Sequence, residues 1–347
     1  MWRHALAALL VLGGAAAGGI GLALSGDPSE AWPVTDIPVP PPALPAVADN
    51  LMSGEEGALP DLLDEVAPGD NPTAALVTPP PPPTLAPRSK ALTPVQASLL
   101  RDVESGPIPT RAPGGQTAYT TYARPFEGTA APDFAIVLGG LGIDGALTER
   151  AIETLPAEVT LSFAAHAPGL QLWMDRARED GHEVVLELPM ESADFDPGEP
   201  GAGRALRVDS DTNTELLEYH LSRAQGYFAV SPFGGDAFLG SAASDAVLRF
   251  LSSAGLGLLT DGQSTADGLS GRAERANLPF RDGSFILDPR PDAEIVSQNL
   301  QRLEAQAVAG NRPIGFGFAY PVTVEAIADF LSSVERAEPA PASALMP

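Results

Sequence analysis

Residues 170–191 read LQLWMDRAREDGHEVVLELPME, and this stretch indicates the fold most clearly. Its first ten residues have the apolar spacing of an amphipathic helix, and Asp180 and Gly181 are suited to end that helix. The apolar, β-branched run 183–188 that follows is typical of a buried strand. A helix that leads directly into such a strand is typical of proteins in which the two kinds of element alternate. The stretch therefore predicts an α/β fold.

The same alternation extends over residues 127–337. Strand-like runs occur at 134–138, 159–164, 183–188, 227–231, 255–260, 284–287 and 313–318. Helical candidates occur at 145–155, 170–179, 214–224, 244–253, 293–309 and 324–334. Right-handed crossovers between successive strands build a parallel sheet, so we expect one domain that forms a barrel or a doubly wound sheet. Ligands of such folds bind at the carboxyl ends of the strands.

The first residues of the chain predict an export signal. Residues 5–24 contain no charged side chain, follow Arg3, and are long enough to cross a bilayer of about 30 Å as a helix. Residues 1–25 are therefore expected to be a transmembrane signal anchor or a signal peptide cleaved after Ser25. In the first case the domain is anchored in the inner membrane and faces the periplasm, and in the second it is secreted to the periplasm.

Proline marks the next segment of the chain. Residues 26–125 hold 21 of the 36 prolines and lack sustained helical or strand periodicity. This composition predicts an extended, disordered linker over residues 26–126. The Ala- and Pro-rich residues 338–347 are expected to form a disordered tail.

Composition excludes several classes of function. The chain has 45 acidic and 20 basic residues, a net charge of −25, which argues against nucleic-acid binding because that needs clustered Lys and Arg. It has no cysteine, so thiolate zinc sites and cysteine nucleophiles are excluded. The glycine-rich residues 139–142 are only a weak candidate for a phosphate-binding loop. A dinucleotide-binding loop is accompanied by an acidic residue at the end of the second strand, and this chain has His166 there instead.

Three segments resemble the divergent polysaccharide deacetylase family in their order and spacing. They are AIVLGGLG at 135–142, VTLSF at 159–163 with the following Ala167 and Pro168, and GHEVVLELPME at 181–191. LLTD at 258–261 and YPVTVEAI at 320–327 are similar to later parts of the family pattern. The resemblance implies a distorted (β/α)7 barrel of the polysaccharide deacetylase type. It also implies carbohydrate deacetylation by water that is activated on a divalent metal such as zinc.

The sequence departs from the family pattern at the positions implied to hold that metal. Where the resemblance implies two aspartates and three histidines, the chain has Gly139, Gly140, Glu187, Phe233 and Phe318. Asp261 keeps the residue type of the family. Glycine and phenylalanine neither coordinate a metal nor transfer a proton. We therefore expect no bound metal or other cofactor, and a protein that has lost the activity of its relatives.

Other polar and aromatic residues at the strand ends are candidates for a different site. For catalysis these are Asp261, Glu187 and His166, because carboxylates and imidazole transfer protons or bind hard cations. For ligand binding they are Glu191, Asp236, Phe233 and Phe318, whose rings would stack on a sugar or fill the space of the lost site. In the structural alternative, Glu187 pairs with an arginine such as Arg204 or Arg207.

These observations predict an envelope protein linked to carbohydrate metabolism that binds a glycan or an envelope protein and no longer deacetylates. Two alternatives stay open. One is an active carbohydrate deacetylase or hydrolase with a rebuilt carboxylate and histidine site. The other is a structural spacer in which the length of the linker is what matters.

Overall fold

The computed structural model describes residues 91–129, 131–196, 202–263 and 268–347. The chain divides into two units, Met1–Pro80 and Pro81–Pro347, and all of the described residues belong to the second. Within these ranges no helix is long and apolar enough to span a membrane. The predicted signal segment at 1–25 and most of the predicted linker lie outside the described residues.

The described residues form short helices and strands in alternation. The strands are β1 (Leu100–Val103), β2 (Gly106–Pro109), β3 (Asp133–Leu141), β4 (Thr160–Ala164), β5 (Val184–Met190), β6 (Ala229–Gly234), β7 (Gly257–Thr260), β8 (Phe280–Asp282), β9 (Phe285–Ile286), β10 (Ile314–Phe318) and β11 (Glu338–Pro339). The α-helices are α1 (Ala118–Tyr122), α2 (Gly145–Thr154), α3 (Leu170–Glu179), α4 (Asn213–Leu221), α5 (Asp236–Gly240), α6 (Ser244–Ala254), α7 (Leu269–Arg275), α8 (Ala293–Val308) and α9 (Pro321–Ser333). Three 3-10 turns lie at Ala97–Leu99, Ala202–Arg204 and Ala342–Leu345.

The central sheet is parallel and curled into a half-barrel. Its strands follow the order β8-β7-β6-β5-β4-β3-β10-β9, and β11 pairs with β3 outside that path. Only Gly283 and Ser284 separate β8 from β9, which lie at opposite edges of the sheet. The amide of Gly283 donates to Thr260 O of β7, and that of Ser284 donates to Ile314 O of β10, both at 2.7 Å. The chain itself therefore joins the two edges, and all strands of the path end on the same side.

The predicted α/β class is confirmed, and all seven predicted strands and all six predicted helices are present. Residues 170–179, which indicated the fold, form α3 with the predicted limits. Burial explains why the strands could be recognised. In β5, Val184, Val185 and Leu186 are all fully buried, as expected for a parallel sheet covered by helices. The sequence analysis missed β8, because Phe-Arg-Asp is too short and too polar to show a strand pattern.

The part of the predicted linker that the structure describes is folded, so the predicted boundary at residue 126 is wrong. Strands β1 and β2 form an antiparallel hairpin. Leu99 and Ile108 are fully buried in the hydrophobic core. Tyr122 is also buried, and its hydroxyl accepts a hydrogen bond from the Gln96 amide at 2.9 Å. These few apolar side chains stand among prolines without a regular spacing, so periodicity could not reveal them.

The C-terminal residues 338–347 are folded too, and the prediction that they are disordered is wrong. Strand β11 pairs with the start of β3. Beyond it, the amide of Ala342 donates to Thr160 Oγ1 at 2.9 Å and the amide of Ser343 donates to Glu183 Oε1 at 3.0 Å. Leu345 is only 3% exposed. The tail therefore covers the end of the sheet at which the strands begin.

Candidate functional site

A small cavity lies where the strands of the sheet end. Its volume is about 70 Å³. Six neighbouring strands contribute to its wall, through Gly139 of β3, Ser162 of β4, Glu187 of β5, residues 231–234 of β6, Asp261 after β7, and Phe316 and Phe318 of β10. A single water needs about 10–15 Å³ of such space, so the cavity has room for a group of a few heavy atoms.

Glu187 is the most unusual side chain of this cavity. It is 5% exposed, and its Oε1 accepts a hydrogen bond from the Gly140 amide at 2.7 Å. Burial raises the pKa of Glu187 to about 7, although the Gly140 amide and the nearby Ser162 hydroxyl favour the charged form. Glu187 Oε2 and Ser162 Oγ nevertheless have no hydrogen-bond partner of acceptable geometry among the described residues. The cavity therefore contains a carboxyl group that gains or loses a proton near neutral pH.

The carboxylate of Glu187 lies in the space beside Gly139. A Cβ atom placed on Gly139 would lie 2.8 Å from Glu187 Oε1 and 3.7 Å from Phe318 Cδ1. The distance of 2.8 Å to Glu187 Oε1 is shorter than the van der Waals contact distance of two such atoms. At Gly140 the obstacle is conformational, since its φ of 74° is unfavourable for any residue with a Cβ. Neither position can therefore accept the aspartate that the family resemblance implies without displacing Glu187 or straining the backbone.

Aromatic rings form the other side of the cavity. Phe316 is buried, Phe318 is partly buried, and Phe233 is 54% exposed at the mouth. Buried Asp288 fixes the end of β10, because its Oδ2 accepts from the Phe318 amide at 2.8 Å and from Thr323 Oγ1 at 2.7 Å. Burial raises the pKa of the Asp288 carboxyl. Sequence analysis missed Asp288, although it directly follows the predicted strand 284–287.

Four of the residues predicted for the site line the cavity together, namely Glu187, Asp261, Phe233 and Phe318. Asp261 also belongs to a turn, since its Oδ1 accepts from the Gln263 amide at 2.9 Å. Ser162 and Ser231 line the cavity as well and were missed. Their small hydroxyl side chains give no signal in a single sequence.

The other three predicted residues are not part of the cavity wall. His166 is exposed in the loop after β4. Glu191 Oε2 accepts from the Val208 amide at 2.8 Å, and Asp236 Oδ1 accepts from the Ala193 amide at 2.9 Å. The Glu191 carboxylate therefore joins two parts of the segment that follows β5, and the Asp236 carboxylate joins that segment to the residues after β6. The expectation that ligands bind at the carboxyl ends of the strands indicated the correct side of the sheet. It could not show which side chains at those ends turn towards the cavity.

The predicted ion pair between Glu187 and an arginine is wrong. Arg204 contacts the hydroxyl of Tyr219 and lies over its ring, while Arg207 lies 5.4 Å from the centre of the Phe195 ring. Among the described residues that line the cavity there is no Lys, Arg or His. The negative charge of Glu187 therefore has no basic side chain beside it in the cavity wall.

The cavity does not fit the divalent metal that the family resemblance implies. Its wall offers two carboxylates, Glu187 and Asp261, together with three phenyl rings and no imidazole. Nowhere in the part of the chain that the structure describes do three His, Asp or Glu side chains form a group that could hold a metal ion. Catalytic zinc sites use three protein ligands. No metal-dependent step follows from these side chains.

The raised pKa of Glu187 predicts a pH effect on stability. The carboxyl binds its proton more tightly in the folded chain, with a pKa of about 7 against 4.5 for the free side chain. Its contribution to the free energy of unfolding therefore falls as the pH rises from about 5 to 8, by about 2–3 kcal/mol. Glu187→Gln keeps the shape of the side chain and cannot ionise.

We expect Glu187→Gln to make the protein more stable than the wild type at pH 8, and we expect this difference to be smaller at pH 5. Urea unfolding of both proteins at the two pH values measures this, and the difference between them removes the contribution of other titrating groups. Parallel pH profiles for the two proteins would contradict a buried carboxyl that titrates near neutrality.

Comparisons with known proteins agree with this architecture. The family model of the divergent polysaccharide deacetylases matches residues 136–346. Among solved structures, the uncharacterized protein ATU2773 from Agrobacterium tumefaciens C58 is similar, with 30% identity and a TM-score of 0.65, over 69% of this chain and 98% of that one.

Two more distant structures are also similar. A putative cellobiose-phosphate cleavage protein from Enterococcus faecalis V583 has 13% identity and a TM-score of 0.42, over 62% of this chain and 99% of that one. The peptidoglycan deacetylase Bd3279 of Bdellovibrio bacteriovorus has 13% identity and a TM-score of 0.33, over 70% of this chain and 59% of that one. No curated protein matches the chain.

Proposed function

Since this chain belongs to the divergent polysaccharide deacetylase family, we propose that it acts in the carbohydrate metabolism of the cell envelope as a glycan-binding protein that no longer deacetylates. The observation that carries this proposal is the Glu187 carboxylate in the space beside Gly139. It occupies the position of a side chain that the family resemblance assigns to the metal site. Phenyl rings stand at two further positions of that site, Phe233 and Phe318.

The rest of the chain supports a place in the envelope. The predicted signal segment at 1–25 would anchor the protein in the inner membrane with its domain in the periplasm, or would release it there after cleavage.

The sheet, whose edges are joined through Gly283 and Ser284, supports the distorted (β/α)7 barrel that the resemblance implies.

Exposed apolar side chains at the strand ends support binding. Phe233 and Tyr320 are 54% and 42% exposed, and both stand at the ends of cavity-lining strands, as does Ile143 two residues after β3. Aromatic rings that are exposed at such a place can stack on the apolar faces of sugars. A glycan is therefore favoured over an envelope protein as the partner.

We expect the full-length protein to release no acetate from acetylated glucosamine oligomers, with or without added zinc, and to sediment with peptidoglycan. Phe233→Ala should reduce the sedimented fraction severalfold, because it removes the exposed ring at the cavity mouth. Val308→Ala is the matched control, since Val308 is 46% exposed at the opposite end of α8 from the strand ends. Equal losses in both variants would contradict a glycan site at the cavity.

A second candidate function is an active deacetylase with a rebuilt site. The pKa of Glu187, about 7, favours it, because a general acid or base works best when its pKa is close to the operating pH. Acetate release that disappears in Glu187→Gln would support this candidate and contradict the first. If the protein neither releases acetate nor sediments with glycan, the spacer hypothesis gains support.

A further inference from the structure

The cavity presents acceptors that the protein itself leaves unused. Glu187 Oε2 and Ser162 Oγ both lie in its wall, are almost fully buried, and have no hydrogen-bond partner among the described residues. The Ser162 hydroxyl is near enough to favour the charged form of Glu187, but it makes no hydrogen bond of acceptable geometry to Oε2. A buried carboxylate oxygen without such a bond costs about 1–3 kcal/mol or more. A ligand that donates hydrogen bonds into the cavity would recover this free energy.

The charge of the cavity selects the kind of donor. Glu187 and Asp261 contribute two carboxyl groups, and the described residues of the wall include no basic side chain. The chain as a whole carries a net charge of −25, so cations are drawn towards it and anions are repelled. A positively charged donor is therefore favoured over a neutral one such as an acetamide.

The aromatic side of the cavity excludes some cations and suits others. Phe233, Phe316 and Phe318 present phenyl rings, and the Phe318 ring and Glu187 Oε1 both lie within 4 Å of the position of a Cβ on Gly139. Ring faces attract organic ammonium groups by cation–π interaction. A divalent metal ion instead needs several oxygen or nitrogen ligands, which the rings cannot supply.

The size and opening of the cavity limit what can enter. A volume of about 70 Å³ accommodates a group of a few heavy atoms but not a sugar ring together with its substituents. Phe233 and Gly234 are exposed at its mouth, where the remainder of a larger ligand would lie. The ligand therefore presents a small cationic group at its edge.

We propose that this cavity binds a primary ammonium group, and specifically the free amino group of an amino sugar that carries no acetyl group. Two of the three N–H groups of the ammonium would donate to Glu187 Oε2 and Ser162 Oγ. Asp261 would add negative charge, and the phenyl rings would surround the rest of the group. This inference rests on the proposed glycan-binding function and specifies which glycan is bound: one that has already been deacetylated.

Calorimetric titration of the full-length protein with methylammonium chloride tests the site on its own. We expect binding at pH 8 and about tenfold weaker binding at pH 6, because the ammonium must displace the proton that Glu187 holds there. Glu187→Gln should weaken binding at pH 8 by tenfold or more and abolish the pH dependence. Phe318→Leu keeps an apolar side chain and should weaken binding severalfold at both pH values.

The thermal unfolding temperature of each variant is measured first, so that loss of binding is not confused with loss of structure. Acetamide and magnesium chloride serve as the neutral and metal probes. Acetamide that binds as tightly as methylammonium would overturn the proposal, as would tighter binding of magnesium. A pH dependence that persists in Glu187→Gln would also overturn it.

Oligosaccharide arms separate this inference from the proposed function. We expect glucosamine oligomers to bind more tightly than N-acetylglucosamine oligomers of equal length, and more tightly than an Nα-acetyl-lysine amide. Preference for the lysine compound would overturn the assignment to an amino sugar. Tight binding of acetylated oligomers without methylammonium binding would support the proposed function and overturn the inference. Methylammonium binding without binding of any glycan would support an ammonium site in the cavity, but it would overturn both the assignment to an amino sugar and the proposed function.

Discussion

Removal of residues 338–347 is expected to lower the free energy of unfolding by about 5 kcal/mol or more, which approaches the whole stability of many domains. The tail contributes buried apolar surface through Leu345 and Met346, and burial of one such side chain contributes about 1.5–3 kcal/mol. It also donates hydrogen bonds to Glu183, whose side chain is fully buried directly before β5. The truncated chain loses both contributions at once.

Glu183 makes this loss large. Its carboxylate accepts from the Arg124 amide, from Thr160 Oγ1, and from both the amide and the hydroxyl of Ser343. Burial raises the pKa of Glu183, and these hydrogen bonds oppose that shift. Hydrogen bonds to a charged group contribute about 1.5–3 kcal/mol each, so the charged carboxylate depends on the tail.

Urea unfolding of the full chain and of the chain ending at residue 337 measures the effect. Ser343→Ala is the matched control, since it removes the hydroxyl of Ser343 but keeps its amide and the apolar contacts of the tail. We expect this substitution, which removes one hydrogen bond to the carboxylate, to cost about 1.5–3 kcal/mol. Equal stability of the truncated and full-length chains would show that the tail is not part of the core.

Introducing an aspartate at Gly139 is expected to destabilise the protein by about 3–5 kcal/mol and not to create a metal site. The new Cβ would lie 2.8 Å from Glu187 Oε1, so Glu187 must move and give up its hydrogen bond from Gly140. The new carboxylate would also be buried beside an existing one, and an uncompensated buried charge costs about 3–5 kcal/mol. Chemical unfolding at pH 8 measures the loss, and calorimetry with zinc tests for binding.

A double-mutant cycle separates the causes of this loss. Gly139→Ala adds only the steric conflict and should cost about 1–3 kcal/mol, which Glu187→Ala should largely remove in the double variant. Gly140→Ala is the matched control, because its cost of about 1–2 kcal/mol comes from the positive φ and should not change with Glu187→Ala. Additive effects of Gly139→Ala and Glu187→Ala would contradict a shared space.

Elements with strong local patterns could be predicted from the sequence, as α3 and β5 illustrate. The buried run of β5 and the regular apolar spacing of α3 are properties of neighbouring residues. By contrast, the hairpin of β1 and β2 is held by contacts with distant residues, for which its own sequence gives no sign. The same applies to Ala342 and Ser343, whose partners Thr160 and Glu183 lie far away in the chain.

For the site, the sequence showed the departures from the family pattern but not how they fit together. In the sequence, Gly139 and Glu187 are two separate departures from the family pattern. In the fold, the carboxylate of Glu187 lies in the space beside Gly139. The direction of a side chain at a strand end depends on the pleat and on the curvature of the sheet. This is why Glu187 and Asp261 reach the cavity while His166 and Asp236 do not.

The contacts of Glu183 also have a consequence for biosynthesis. This one carboxylate joins Arg124, near the start of the described chain, to Ser343, within the last turn of the described chain. Contacts between such distant residues cannot form until both have been synthesised. A nascent chain that stops short of Ser343 lacks the donors that Glu183 needs. The contacts of this part of the core are therefore completed only after Ser343 has left the ribosome, and the growing chain remains incompletely folded until then.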